Sequence, residues 1–215
     1  MTKHSLYFFL LFIFSSATLP GCATKPTNDS STLIVQQSAM QRAAKLTQID
    51  QWHIRGKIAF IEQINDQKSK RESATIAWRV NEKDQTQELN LTSYLGINVL
   101  HLASEHNQHL IKVNGKEYRA NNLAQLVYSL TGLTLPTKAL TFWLKGLPYQ
   151  SNDQIKLSAE TQLPVTLTSL FENIEWHIGY SKYQVFDGVK MATQFTIKKD
   201  GLLIKIAIKK WSLTN

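Results

Sequence analysis

The chain has 215 residues, 43% of them hydrophobic, a formal net charge of +8 and one cysteine. That length and apolar content suit one domain with a real core plus extensions. A single cysteine excludes an intrachain disulfide.

Residues 1–21 carry one basic residue, Lys3, then the apolar run Leu6 to Phe14, and end at Leu19-Pro20-Gly21 before Cys22. This predicts an export signal over residues 1–21, since its apolar run is far shorter than the roughly 20 residues of a spanning helix. Leu19-Pro20-Gly21-Cys22 resembles the bacterial lipobox, with Pro20 departing from the small residues usual there. The resemblance implies diacylglycerol on the Cys22 thiol, cleavage before Cys22, and acylation of the new amino group. Several acyl chains anchor a protein firmly, because each buried CH₂ contributes about 0.8 kcal/mol. Ala23 stands where aspartate would retain an enterobacterial lipoprotein in the inner membrane, which points to lipid anchoring at the periplasmic face of the outer membrane. Without residues 1–21 the chain keeps 23 basic and 16 acidic residues, a net charge of +7. Lys198, Lys199, Lys205, Lys209 and Lys210 crowd its last strands, where they serve either solubility or contact with an anionic partner. Export argues against nucleic acid.

Residues 22–31 comprise the lipidated cysteine and a polar tether, with Pro26, Asn28, Asp29 and two serines. The folded domain is predicted over residues 32–215. From Thr32 to about Gln48 the apolar residues Leu33, Val35, Ala39, Met40, Ala43, Ala44 and Leu46 follow helical spacing. This amphipathic helix is expected to cover an open sheet.

At Trp52 the period changes to two: Trp52, Ile54, Gly56, Ile58 and Phe60 share one face while His53, Arg55 and Lys57 share the other. The alternation recurs in Ala74-Ile76-Trp78-Val80, in Leu89 and Leu91, and in Leu100 and Leu102 after a turn at Tyr94-Leu95-Gly96. Asn114-Gly115 between Val113 and Tyr118 is a hairpin signal, so antiparallel pairing is expected. Two helices interrupt the strands. Asn121 or Asn122 caps Leu123, Leu126, Val127 and Leu130 before Gly132; the second follows Leu135-Pro136 with Leu140, Trp143 and Leu144, and ends at Gly146. Strands resume near Ile155, at Val165 to Phe171, Trp176 to Tyr180, Met191 to Ile197, and Leu202 to Trp211 around the Asp200-Gly201 turn.

About eleven one-faced strands must curl or pack to remove their apolar sides from water. The expected fold is mainly β, a curved antiparallel sheet forming an open, incompletely closed barrel with helices over its interior. Periodicity does not choose between a core filled by side chains and a cavity for an apolar ligand. Trp52, Ile58, Ile76, Trp78, Trp143, Ile206 and Ile208 are expected to face that interior.

No Gly-x-Ser-x-Gly elbow and no phosphate loop appears, so no nucleophile, cofactor or enzymatic role is nominated. His101, His106 and His109, with Glu105, read as solvated turn histidines rather than a zinc set.

The mature chain resembles the LolB family of outer-membrane lipoprotein receptors. The residues that carry the resemblance are Trp52-x-x-Arg55-Gly56-Lys57-x-Ala59-Phe60, the Ala74 to Trp78 strand, Leu95-Gly96, Leu135-Pro136, Leu140-x-x-Trp143-x-x-Gly146-Leu147-Pro148, Trp176-x-Ile178-x-Tyr180-x-x-Tyr183 and Trp211. It departs at Tyr94, where the family carries proline, and at Gly188-Val189-Lys190-Met191. The resemblance implies a monomeric receptor whose hydrophobic cavity takes the acyl chains of client lipoproteins from the periplasmic carrier LolA. It also implies that Tyr94, Leu95 and Gly96 form a loop that enters outer-membrane phospholipid. A scaffold lipoprotein with a filled core, or an envelope hydrolase, are the competing readings.

The anchor gives the first test. Cys22→Ala is expected to remove the chain from the outer-membrane fraction while its domain stays folded, because the domain begins beyond the tether. Unchanged lipid-dependent fractionation of the variant would contradict the anchor.

Overall fold

The period-two segments become one open sheet in a computed structural model that describes residues 38–65, 68–132 and 135–214. Cys22, its tether and the signal lie outside the described residues. In chain order the elements are α1 (Ala39–Thr47), β1 (Gln51–Asn65), β2 (Lys68–Asn81), β3 (Thr86–Thr92), β4 (Asn98–Glu105), β5 (Gln108–Val113) and β6 (Lys116–Ala120). There follow α2 (Leu123–Thr131), α3 (Thr137–Lys145), β7 (Gln154–Leu157), β8 (Pro164–Phe171), β9 (Ile174–Phe186), β10 (Val189–Lys199) and β11 (Leu202–Thr214).

Local chemistry marks four of the helix ends. Ser38 closes a capping box on α1: its hydroxyl accepts from the Gln41 amide at 3.2 Å, and its own amide donates to Gln41 Oε1 at 3.1 Å. Asn122, one of the two candidate caps, accepts from the Gln125 amide at 3.0 Å and starts α2. Gly132 and Gly146 end α2 and α3 in the left-handed conformation. The Asn114-Gly115 hairpin is as expected, with φ of +51° and +74° in the paired positions.

The strand order is β6-β5-β4-β3-β2-β1-β11-β10-β9-β8-β7, and all ten pairings are antiparallel. Two meanders are therefore joined through β1 and β11, the first and last strands of the chain. The edges β6 and β7 do not pair, so the barrel stays open. One face of the sheet carries the main core, contributed by β1, β2 and β8 to β11 and covered by Leu46 of α1 and Ala139, Trp143 and Leu144 of α3. A smaller core of Leu102, Ile111, Leu123, Leu126 and Val127 lies under α2.

Cross-strand register explains why the candidate interior residues gather. Ile54 of β1 stands between Trp78 of β2 and Trp211 of β11; Gly56 stands between Ile76 and Ile208; Ile58 pairs with Ile206. Facing residues along three adjacent strands form apolar rows, each row one pleat repeat from the next.

Gly56 has a steric reason to be glycine. The β1–β11 register slips by one residue between Arg55 and Gly56, and at this bulge a Cβ on Gly56 would lie 2.2 Å from Ala207 O and 2.9 Å from Ile208 Cα. Gly56→Ala is expected to cost at least about 2 kcal/mol, read from the urea midpoint, because backbone rather than a movable side chain blocks the methyl. Wild-type stability in that variant would mean that the two central strands separate freely.

Candidate functional site

Two regions matter: the apolar interior beneath α1 and α3, and the turn joining β3 to β4. Trp52, Ile58, Ile76, Trp78, Trp143, Ile206 and Ile208 are all buried in the main core. That interior is aromatic and packed. Trp52 meets Trp78 edge-on at 5.2 Å between ring centroids and Trp211 at 5.8 Å, while Trp143 reaches down from α3 to Trp176 at 6.0 Å and Phe171 at 6.2 Å. A hollow of about 370 Å³ opens beside this core, and most of the residues that line it are of polar type, including His53, Arg79, Gln87 and Glu88. A smaller one of about 180 Å³ is apolar and lies between Ala39 and Ala43 of α1 and Leu147, Ile155 and Pro164.

Polar groups pin the aromatic rings at the rim of the core. The Trp52 indole donates to Glu82 Oε1 at 3.1 Å, Trp78 to Gln87 Oε1 at 3.1 Å, Trp143 to Asp153 Oδ2 at 3.3 Å and Trp211 to the Ala192 carbonyl at 3.1 Å. Each ring keeps an apolar body inside while its N–H finds an acceptor. Trp176 is fully buried, and its indole N–H has no acceptor among the described residues.

The covering helices are held by a few buried polar ties. Lys145, in the last turn of α3, is 1% exposed and reaches Glu82 Oε1 at 2.6 Å, the same oxygen that receives Trp52. Arg42 of α1 donates to the Lys145 carbonyl and to the Lys190 carbonyl of β10, both at 3.0 Å. Burial lowers the Arg42 guanidinium below its ordinary pKa. The Tyr180 hydroxyl donates to the Trp143 carbonyl at 2.9 Å, and burial raises that phenol well above its usual range, so it stays a neutral donor. Sequence reasoning missed Arg42 and Lys145. Charged residues in amphipathic helices default to the solvent face, and only the neighbouring Trp143 and Leu144 hinted that this stretch of α3 is buried on more than one side.

The β3–β4 turn exposes what the interior conceals. Tyr94 is 98% exposed, Leu95 80% and Ile97 64%, on a turn closed by the Gly96 amide to the Ser93 carbonyl at 3.0 Å and the Ser93 amide to the Ile97 carbonyl at 2.8 Å. Gly96 supplies the φ of +76° that the turn needs. Leu95 does not fold back on its hairpin. Ile97, which joins it, escaped the sequence reading, because it sits out of phase with the core-facing Leu100 and Leu102.

Two of the three histidines between Leu100 and Leu110 have separate partners: His101 Nδ1 lies 2.8 Å from Asn90 Oδ1, and His109 Nδ1 lies 2.9 Å from Ser104 Oγ. On the outward face, Arg55 stands beside Lys210, and His53 beside Arg79. Partial burial, then the charges of Arg79, Arg55 and Lys210, lower the His53 imidazole.

A family model described as "Outer membrane lipoprotein LolB" matches residues 50–211. An outer-membrane lipoprotein LolB of Tolumonas auensis is 31% identical over 206 residues, covering 95% of this chain and 96% of its own. The LolB of Psychromonas ingrahamii is 32% identical over 211 residues, with 95% and 96% covered. Among solved structures, a domain provisionally assigned to outer-membrane lipoprotein sorting in Vibrio parahaemolyticus shares the fold with a TM-score of 0.53 at 9% identity, over 82% of this chain and 91% of that one. A DUF1329 family protein from Desulfovibrio piger gives 0.54 at 10% identity, over 81% and 90%.

The ties on α3 yield a stability prediction. Glu82→Ala leaves the Lys145 ammonium buried without its acid and is expected to cost about 3 kcal/mol. Glu82→Leu combined with Lys145→Met should recover most of the loss in the same urea titration. Equal losses in the single and double variants would show that the ion pair does not hold the helix.

Proposed function

The chain belongs to the LolB family of outer-membrane lipoproteins, and on that premise we propose that it takes lipoproteins by their acyl chains from the periplasmic carrier LolA. It is an outer-membrane lipoprotein receptor of the lipoprotein localisation system. On this reading its clients' acyl chains occupy the space beneath α3 and α1, and the receptor then releases them into phospholipid.

Physical chemistry favours such a handover. An acyl chain of about 15 methylenes loses roughly 12 kcal/mol when exposed to water, so passage through solvent is prohibitively slow. Direct transfer between two apolar interiors avoids that barrier, and a modest difference in affinity sets its direction. An interior already filled by tryptophans accepts a chain only if a covering element moves. The helices are the elements that can move, since α3 is tied by the Lys145–Glu82 pair and the Tyr180 hydroxyl rather than by a strand ladder. The central strands are held by continuous ladders on both sides.

The observation that carries the reading is the exposed apolar turn. A protein with only a filled core to maintain gains nothing from presenting Leu95 and Ile97 to water beside a bare Tyr94 ring. A turn that enters the acyl region of a bilayer does gain, with Tyr94 at the headgroup level, where an aromatic ring with a polar tip is favoured. Among the described residues no helix is long and apolar enough to cross a membrane; on this reading the turn and the lipid anchor at Cys22 make the contact with lipid.

Leu95→Glu separates receiving from delivering. In a two-stage assay with LolA, receptor and liposomes, uptake from LolA is expected to stay within about twofold of wild type. Delivery should fall roughly tenfold or more, since a carboxylate resists entry into hydrocarbon. Normal delivery by this variant would remove the insertion role; lost uptake would make Leu95 part of the receiving surface instead.

A further inference from the structure

Among the described residues, two buried polar groups that face each other across adjacent strands have no partner. Trp176 is fully buried on β9 and Ser169 is 1% exposed on β8, and among the described residues neither the Trp176 indole N–H nor the Ser169 hydroxyl has a hydrogen-bond partner. The two are cross-strand partners in the β8–β9 register, so their side chains leave the sheet on the same face with Cβ atoms about 5 Å apart. That face is the core face. Trp143 of α3 packs on Trp176 at 6.0 Å, and the Lys199 ammonium lies 5.6 Å from the centre of the Trp176 ring. The cation occupies the face of the ring, so what Trp176 leaves unused is the donor on its edge.

Each buried group without a partner costs the folded state the hydrogen bond it made with water. The other four tryptophans of the chain all have an acceptor, two of them from glutamate or aspartate and one from glutamine, so indoles in this core are not left bare as a rule. Phenylalanine and alanine would fill the same space without the penalty. The pairing makes sense if the missing acceptor arrives with the ligand.

We propose that Trp176 Nε1 and Ser169 Oγ form a binding site for the carbonyl oxygen of an ester- or amide-linked acyl chain. This rests on the reading that acyl chains enter beneath α3. A carbonyl oxygen has two lone pairs and accepts both donors at once. It is the polar group that every acyl chain carries into an otherwise apolar interior, where an unpaired carbonyl would itself be costly. The two donors thereby set how deep the chain lies: the carbonyl stops at β8–β9 and the methylenes run on along the apolar rows toward Ile206 and Ile58. Displacement of Trp143 with α3 opens the site, since that ring lies over Trp176.

The test uses the full chain carrying Cys22→Ala and two probes of similar length, methyl palmitate and hexadecane, of which only the first has a carbonyl. Binding is read by displacement of a hydrophobic dye and by the ¹⁵N-indole spectrum, in which the Trp176 signal is assigned by its loss in Trp176→Phe. Wild type is expected to bind both, with the Trp176 indole proton moving downfield for methyl palmitate alone. Ser169→Ala and Trp176→Phe should each weaken methyl palmitate about fivefold, leave hexadecane within twofold, and leave the urea midpoint of Ser169→Ala no lower than wild type. Equal effects on the two probes, or an unmoved Trp176 signal while methyl palmitate binds, would overturn the carbonyl site and leave the acyl reading standing. Failure of wild type to bind either probe would overturn both.

Discussion

An eleven-stranded sheet with one apolar face cannot leave that face in water, and the described residues supply three helices of nine residues with which to cover it. Everything else in the structure follows from how that cover is arranged. Helix α2 closes a small core over β4 to β6, while α1 and α3 share the larger one over the central strands. A sheet is held by a ladder of backbone hydrogen bonds, whereas a nine-residue helix on top of it is held by side chains alone. The cover is thus the part of the molecule that a ligand can displace at least cost, and its side-chain ties are few enough to name: Lys145 to Glu82, Arg42 to two carbonyls, Trp143 to Asp153, Tyr180 to the Trp143 carbonyl.

Charges buried under a lid do two things. A satisfied ion pair such as Lys145–Glu82 adds little net stability over apolar packing, but it fixes one arrangement, and removing a single partner is expensive. Glu82 sits just beyond the end of β2 and accepts from both α3 and Trp52 of β1, so the seat of the helix and the orientation of the first interior tryptophan depend on one carboxylate. Opening the cover therefore also releases a ring that lines the interior.

Much of the fold was legible because alternation is a local signal. Trp52, Ile54, Ile58, Ile76, Trp78, Ile206 and Ile208 could be assigned to one face from period two alone, and the Asn114-Gly115 hairpin from its turn chemistry. The order of the strands was not legible, because pairing β1 with β11 joins residues some 150 positions apart and no short-range pattern encodes it. Nor was the difference between a hollow and a filled interior: Trp78 has the same periodicity whether its ring lines a cavity or packs on Trp52. The buried charges Arg42 and Lys145 were hidden by their residue types, and the bare donors of Ser169 and Trp176 by the fact that a missing hydrogen bond leaves no mark on a sequence. Leu95 was legible in position, while its neighbour Ile97 was not.

On the proposed function, an acyl chain enters the space the tryptophans now fill. All five tryptophans of the chain, Trp52, Trp78, Trp143, Trp176 and Trp211, are buried in the main core, so tryptophan fluorescence, excited beyond the tyrosine band, reports on that interior. The direct measurement is quenching of this fluorescence by palmitoyl chains brominated at mid-chain, compared with the same chains without bromine. The account predicts strong quenching by the brominated chain at the concentration where binding occurs, with little change for its plain counterpart. Binding without quenching would place the acyl chain on the outside of the sheet and contradict the account.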